Sequence, residues 1–329
     1  MPRADLHLTP EDPPVSEHLQ AANEDFDIAA QVFAEPCCLD MTNEDYHAHP
    51  ALSSTGARTL VKECPAVYQY ERQHGRHSEA FDIGSAVHLL VLEPHLFDAR
   101  VVACGPDFTT KDAKAKRAAA YADGLIPLRD GDMETVRNMR AALQADPMAA
   151  AAFTGGSAEQ SLFWVDPEFG IPCRTRPDYL PQHTRYLIDL KTAATSHPAE
   201  FEKDAAKFGY YAQASWYLDG VEAVSGVRPE RFAFVVVAKK PPHLVTVHWV
   251  TPEALQWGAI ENRYARGVYA YCTATNNWPG YTQQVDQPAR AFDLTIPGWK
   301  VRDMETRHSL GGYEPPPLPE TYIQMEAAE

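Results

Sequence analysis

The stretch Tyr186 to Thr192, YLIDLKT, sets an acid and an amine two residues apart in an otherwise apolar run. In a strand, residues two apart share a face, so Asp189 and Lys191 project together while Ile188 and Leu190 turn to the opposite, buried side. Upstream, Arg176-Pro177-Asp178 closes the preceding strand, and a hairpin return over 11 residues (189 − 178) brings Asp178 beside Asp189. Glu159 opens the strand before that one and adds a third carboxylate if all three strands share a sheet. Acids held this close repel unless a cation sits among them, and hard oxygen ligands select Mg²⁺ or Mn²⁺, as one ion or two. With a phosphodiester as substrate, such an ion polarises the phosphoryl oxygen and activates water, while Lys191 orients that water and offsets developing charge. The bland alternative is a structural ion pair between Asp189 and Lys191, the better reading of a D-x-K tripeptide taken alone.

These side chains need a frame. Residues 1–39 are rich in Pro, Glu and Asp without a period and read as a flexible extension. The catalytic domain is expected over 40–280, and 281–329, rich in Pro and charge, as an extended tail. Ser53-Ser54-Thr55 caps GARTLVKECPAVYQYERQ, a helix pair or a helix broken at Pro65. AFDIGSAVHLLVL, residues 80–92, suits a helix packed closely against its neighbours, and 111–122 and 133–145 read as two more. From Glu159 the pattern changes to strands: EQSLFWV, IPCRTRPDYL and RYLIDLKT form a three-stranded meander. One helix over 198–218, strands RFAFVVVAKK and LVTVHWV, and a helix over about 252–272 complete the domain. The pattern specifies an α/β fold with a mixed central β-sheet flanked by helices.

The 329 residues are 45% apolar and 22% charged, ordinary for a soluble globular chain. No run of eighteen apolar residues exists, and the opening MPRADLHLTPEDPP has no apolar core, so neither a membrane span nor a secretory signal is expected and the chain reads as cytoplasmic. Six cysteines without C-x-x-C spacing weaken a zinc or iron–sulfur site. A net charge of −16 disfavours a general coat for nucleic acid, yet a carboxylate-held cation and a local basic surface fit DNA within an acidic whole.

Pro177-Asp178 followed by Asp189-Leu190-Lys191, with Glu159 upstream, resembles the PD-(D/E)xK nuclease signature. Two flanking motifs narrow the likeness. Gly84-Ser85-Ala86-Val87-His88 resembles the G-x-x-x-H helix of the RecB-like branch, and Gln213-Ala214-Ser215-Trp216-Tyr217 resembles its Q-x-x-x-Y, whose i, i+4 spacing puts Gln213 and Tyr217 on one face. Within that branch the chain is similar to the RecE, or exodeoxyribonuclease VIII, family and its phage-borne relatives over about residues 40–300. YHAHPALSSTGARTLVKECPAVYQYERQ, GSAVHLLVLEP, FWVDPEFGIPCRTRPDYL, the run from DLKTAATSHPAEF to QASWYLDG, and NNWPGY carry that likeness.

The resemblance implies that His88, Glu159, Asp178 and Asp189 bind Mg²⁺, with Mn²⁺ substituting, that Lys191 is the catalytic lysine, and that Gln213 holds the scissile strand or its water. It implies a double-strand exonuclease resecting 5′ ends to leave 3′ overhangs in phage-type recombination, in a bacterial cell or infected host. Its partners would be DNA ends, copies of itself in a ring, with a tetramer favoured, and a RecT-type annealing protein. Lys111, Lys114, Lys116, Arg117, Arg174, Arg176 and Tyr217 are candidate DNA contacts. The bland rivals are a core histidine at 88, helix packing at 213 and 217, a solvated face at 111–117, and pairing of Arg174 and Arg176 with Glu159 and Glu168. A RecB-like or structure-specific endonuclease, and an inactive DNA-end-binding module, remain the alternatives.

Overall fold

The computed structural model describes residues 36–74, 82–181, 185–283 and 290–315. Most of the extension expected over 1–39 lies outside the described residues, but Cys37–Leu39 form a strand, β1, so regular structure begins ahead of the expected boundary at residue 40. The chain divides into two compact units, residues 1–286 and 287–329.

The first unit opens with α1 (Asn43–Ala48), β2 (Leu52–Ser53), α2 (Ser54–Lys62) and α3 (Pro65–His74). Ser53 caps α2 by accepting the Gly56 N–H at 3.1 Å, and Pro65, tolerated only in a first turn, restarts the chain as α3, so the expected broken helix forms. Next come α4 (Asp82–Leu92), α5 (Phe97–Arg100), β3 (Val101–Ala103), α6 (Lys111–Ala122), β4 (Ile126–Leu128), α7 (Asp130–Ala145) and α8 (Pro147–Ala152). The remainder alternates: β5 (Gly156–Ala158), β6 (Ser161–Val165), β7 (Pro172–Thr175), β8 (Tyr179–Pro181), β9 (Tyr186–Ala193), α9 (Pro198–Phe208), α10 (Tyr210–Ser225), β10 (Arg231–Ala238), β11 (Val245–Trp249) and α11 (Pro252–Thr275).

The expected three-stranded meander is instead shared between two sheets. β6 and β7 pair antiparallel within a sheet ordered β1-β6-β7-β2, whereas β8 pairs antiparallel with β9 in a mixed sheet ordered β11-β10-β9-β8-β5. The chain changes sheets at Arg176-Pro177-Asp178, where proline has no N–H to carry the first ladder onward. Parallel β9 and β10 are joined by the α9–α10 crossover.

Period-two alternation in β9 and β10 sorts their side chains between two helix layers. Ile188, Leu190, Ala233, Val235 and Val237 pack on Ala86, Val87 and Leu90 of α4 and on Val136, Met139 and Leu143 of α7. Leu187, Phe232, Phe234 and Val236 pack on Phe201 of α9 and on Ala214, Leu218 and Val221 of α10. Each fully buried Leu, Ile, Val, Phe or Met among them contributes roughly 1.5–3 kcal/mol.

The single helix expected over 198–218 breaks at Gly209. That residue takes φ +66°, a left-handed conformation open to glycine at little cost, closing α9 and starting α10. Helix α2 satisfies the exposed α9 end: Arg58 donates to the Phe208 carbonyl at 2.7 Å, and the Lys62 ammonium bonds the Lys207 carbonyl.

In the second unit, part of the stretch read as an extended tail is helical, α12 (Gly298–Ser309), entered from Pro297. Among the described residues no helix is long and apolar enough to cross a membrane.

Candidate active site

Asp189 points from the middle of β9 toward α10, on the face opposite Ile188 and Leu190, and is 0% exposed. One carboxylate oxygen accepts from Gln213 Nε2 at 2.7 Å, and the other meets the Lys191 ammonium. Lys191 lies 5.0 Å from the centre of the Tyr210 ring and 5.5 Å from that of Phe234, which opposes Asp189 in β10. Trp216, one turn after Gln213, donates to the Arg174 carbonyl of β7 at 2.9 Å and thereby fixes the rotation of α10.

Asp178, in the sheet-to-sheet passage, accepts the Leu190 N–H at 2.7 Å, the register that the hairpin argument requires. Glu159 does not begin a strand as expected; it sits between β5 and β6 at φ 51°. A side-chain-bearing residue there costs on the order of 1–2 kcal/mol. Its amide donates to the Asp178 carbonyl at 3.2 Å, so the bend sets the two carboxyl groups side by side. Arg176 grips Glu159 at 2.9 Å and is itself held by the Met41 carbonyl and Ser161 hydroxyl, both at 3.2 Å.

His88 approaches from α4, its Nδ1 3.6 Å from Asp178. Gly84 makes this approach possible, since a Cβ there would lie only 3.0 Å from Thr192 Oγ1 of β9. The G-x-x-x-H spacing therefore combines close helix-to-strand packing with a ring delivered one turn later.

The electrostatics are those of a site short of positive charge. Burial and then Asp178 push Glu159 up to about 8. Burial, reinforced by Asp178, pushes Asp189 up to about 6, and Asp178 is raised chiefly by burial. Burial and the neighbouring Lys191 push His88 down to about 4, leaving a neutral imidazole fit to be a ligand. Burial pulls Lys191 down, but Asp189 and Asp178 more than reverse it, so the ammonium stays charged.

Ligand atoms of His88, Glu159 and Asp178 lie within 4.8 Å of one another. That span is near what donors about 2.1 Å from one ion require, and two carboxylates with one imidazole suit Mg²⁺ or Mn²⁺. The residues therefore fit a divalent cation, with Asp189 beside the cluster rather than in it, engaged by Gln213 and Lys191. Such an ion would supply Lewis acidity toward a phosphoryl oxygen. The chain's own parts hold Asp189 through Gln213, aim the Lys191 ammonium, and keep the carboxyl groups apart from solvent.

The expected DNA contacts fare differently. Lys111, Lys114 and Lys116 are exposed on α6, and among the described residues no hydrogen bond or ion pair joins them to the cluster. Arg117 instead stacks 4.5 Å from the Phe108 ring and donates to Tyr121, which donates to Asp82 at the start of α4. Arg174 is buried, 4.6 Å from the Tyr46 ring and donating to the His47 carbonyl, while Glu168 pairs with Arg263 rather than with either strand arginine. Tyr217 is half-buried beside Phe232, and burial raises its phenol well above the usual range. Tyr210 over Lys191, and Glu93, whose charge adds to the lift on Glu159, had no signal beyond their nearness in sequence to Gly209 and His88.

The chain belongs to the family described as a PDDEXK-like domain of unknown function, DUF3799, which matches residues 53–289. In fold it is similar to a candidate exonuclease from Eubacterium rectale, known from a crystal structure at 2.19 Å, with a TM-score of 0.54, 14% identity, and 80% of this chain and 98% of that one covered. The crystal structure of SSO0001 aligns at a TM-score of 0.31 and 8% identity over 77% of this chain and 87% of that one, too distant to carry an argument. No curated protein matches in sequence. A PDDEXK-like fold of nuclease type, with a candidate acidic metal site, is thus established.

Proposed function

We propose that the chain is a metal-dependent exodeoxyribonuclease of the RecE type that resects 5′ ends of duplex DNA. The observation that carries the reading is the convergence of His88, Glu159 and Asp178 next to the buried Asp189–Lys191 pair. Two carboxylates and an imidazole hold the cation, Lys191 orients the attacking water, and Gln213 keeps Asp189 turned toward it. Residues 40–280 are the nuclease domain on this reading, with Lys111, Lys114 and Lys116 on the DNA path. A ring of identical subunits, four being favoured, and a RecT-type annealing partner in the cytoplasm of a bacterial or phage-infected cell complete the proposal.

The test is release of acid-soluble nucleotide from linear and covalently closed duplex DNA, with Mg²⁺ or chelator, for the native chain and Lys191→Ala. Digestion of linear DNA alone, abolished by chelator and by the substitution, is expected. Equal cutting of circles would replace the exonuclease with an endonuclease on the same site. Intact DNA with both forms of the chain folded would remove the catalytic reading.

A further inference from the structure

Away from the carboxylate cluster, a groove of about 410 Å³ runs between the starts of α10 and α11, lined by Tyr211, Thr251, Glu253, Ala254, Trp257 and Glu261. Two aromatic rings and two acids make up most of its wall. Glu261 accepts from the Tyr211 hydroxyl at 2.7 Å, which fixes both side chains, and Thr251 already caps the Ala254 N–H. The helix terminus is therefore satisfied, and the charge left facing the groove is negative. Among the described residues Glu253 forms no ion pair.

Beyond the groove, the exposed surface of α11 continues apolar. On the same helix Trp257, Ile260 and Tyr264 are 59%, 51% and 61% exposed, an i, i+3, i+7 stripe of large side chains facing water on a helix whose other side is core. Exposed stripes of this size mark binding surfaces, and tryptophan and tyrosine dominate the centres of such surfaces.

We propose that this groove receives an arginine side chain presented by an apolar segment of a protein partner. The charge decides the class of ligand: Glu253 and Glu261 repel a phosphate backbone and attract a cation. The rings decide the cation, because a planar guanidinium stacks on Trp257 while its fork reaches a carboxylate. The adjoining stripe decides that the cation comes attached to a protein, since a free polyamine would leave Ile260 and Tyr264 facing water. Docking there would place a partner at the start of α10, the helix whose Gln213 holds Asp189.

The full-length chain labelled at its indole nitrogens gives a direct readout. The Trp257 Nε1–H resonance is assigned by its loss in Trp257→Phe and followed during titration with a short amphipathic peptide of leucine and arginine. The same peptide with citrulline in place of arginine, an uncharged isostere, is the control. A saturable shift with the arginine peptide is expected, weakened about tenfold or more by citrulline and by Glu253→Gln with Glu261→Gln. The glutamines retain the acceptor for Tyr211, so folding is not at stake, and nuclease activity is expected to be unchanged. Equal response to citrulline, no response at Trp257, or binding untouched by the double substitution would overturn the proposal. Spermidine shifting the resonance with equal affinity would overturn the assignment to a protein segment.

Discussion

Glu159 offers the most exacting test of the cation site. Burial and the adjacent Asp178 push its pKa from 4.5 to about 8, a rise of 8 − 4.5 = 3.5 units. At about 1.4 kcal/mol per unit the ceiling is about 5 kcal/mol, and because neighbouring Asp178 shares the proton an effect of roughly 2–4 kcal/mol is expected. The sign follows from proton counting. Between these two pKa values the folded chain keeps a proton that the unfolded chain has lost, so without metal the stability is highest below the lower value and falls as pH rises toward the upper one. Asp189, moved from 3.8 to about 6, adds the same trend lower in the range. A divalent ion requires the ionised groups and takes the place of the proton, so it should flatten the curve. Urea unfolding from about pH 6.5 to about pH 8, above the range in which His88, lowered from 6.5 to about 4, contributes the opposite slope, measures this with chelator or with millimolar Mg²⁺. Glu159→Gln should remove most of the slope seen with chelator. Stability that holds or rises with pH in chelator, or an equal slope in Glu159→Gln, would refute the reasoning.

Other outcomes follow from single contacts. Lys191→Ala should lower DNA hydrolysis by at least about a thousandfold while Mg²⁺ binding, followed by calorimetry, persists, because the ammonium stands beside the ligand cluster and not in it. Gly209→Ala should cost about 1–2 kcal/mol in urea unfolding, because alanine is strained at φ +66° and the Arg58 stem already lies 3.2 Å from its Cβ position. Trp216→Phe should cost about 1–2 kcal/mol through the lost bond to the Arg174 carbonyl. If Trp216 sets the rotation of α10, it should lower kcat more than it raises KM.

What could be read beforehand divides along physical lines. The Asp189–Lys191 pair was legible because strand alternation is strictly local: it needs only the β9 residues themselves. His88 and Gln213 were legible through the likeness of G-x-x-x-H and Q-x-x-x-Y to a known nuclease branch, because helix spacing alone leaves a core histidine and ordinary helix packing as the better readings. The sheet-to-sheet passage at Pro177 was not, since β7 and β8 are short and nearly continuous in sequence and only pairing partners distant in the chain distinguish two sheets from one. Glu159 was found as an acid but misplaced on a strand, because nothing in GGSAEQS announces that its own residue, and not a glycine, takes the left-handed turn. The break at Gly209 lay within reach: a glycine inside an otherwise regular helix is a stop signal when lysine and arginine from another helix await the freed carbonyls. Arg174 and Arg176 are candidate DNA contacts by charge alone, and of the rival pairings the one between Arg176 and Glu159 forms; their burial has no local signal in the sequence.

The passage of the chain between sheets at Arg176-Pro177-Asp178 also bears on when the candidate site comes into being. The acids and the imidazole come from four separate stretches, and Asp178 meets Glu159 only after both sheets exist, since the passage has one foot in each. A chain still emerging from the ribosome, or cut short before β9, lacks the aligned set. Any phosphodiester chemistry at this centre is therefore latent until folding is complete, a built-in delay that needs no inhibitor.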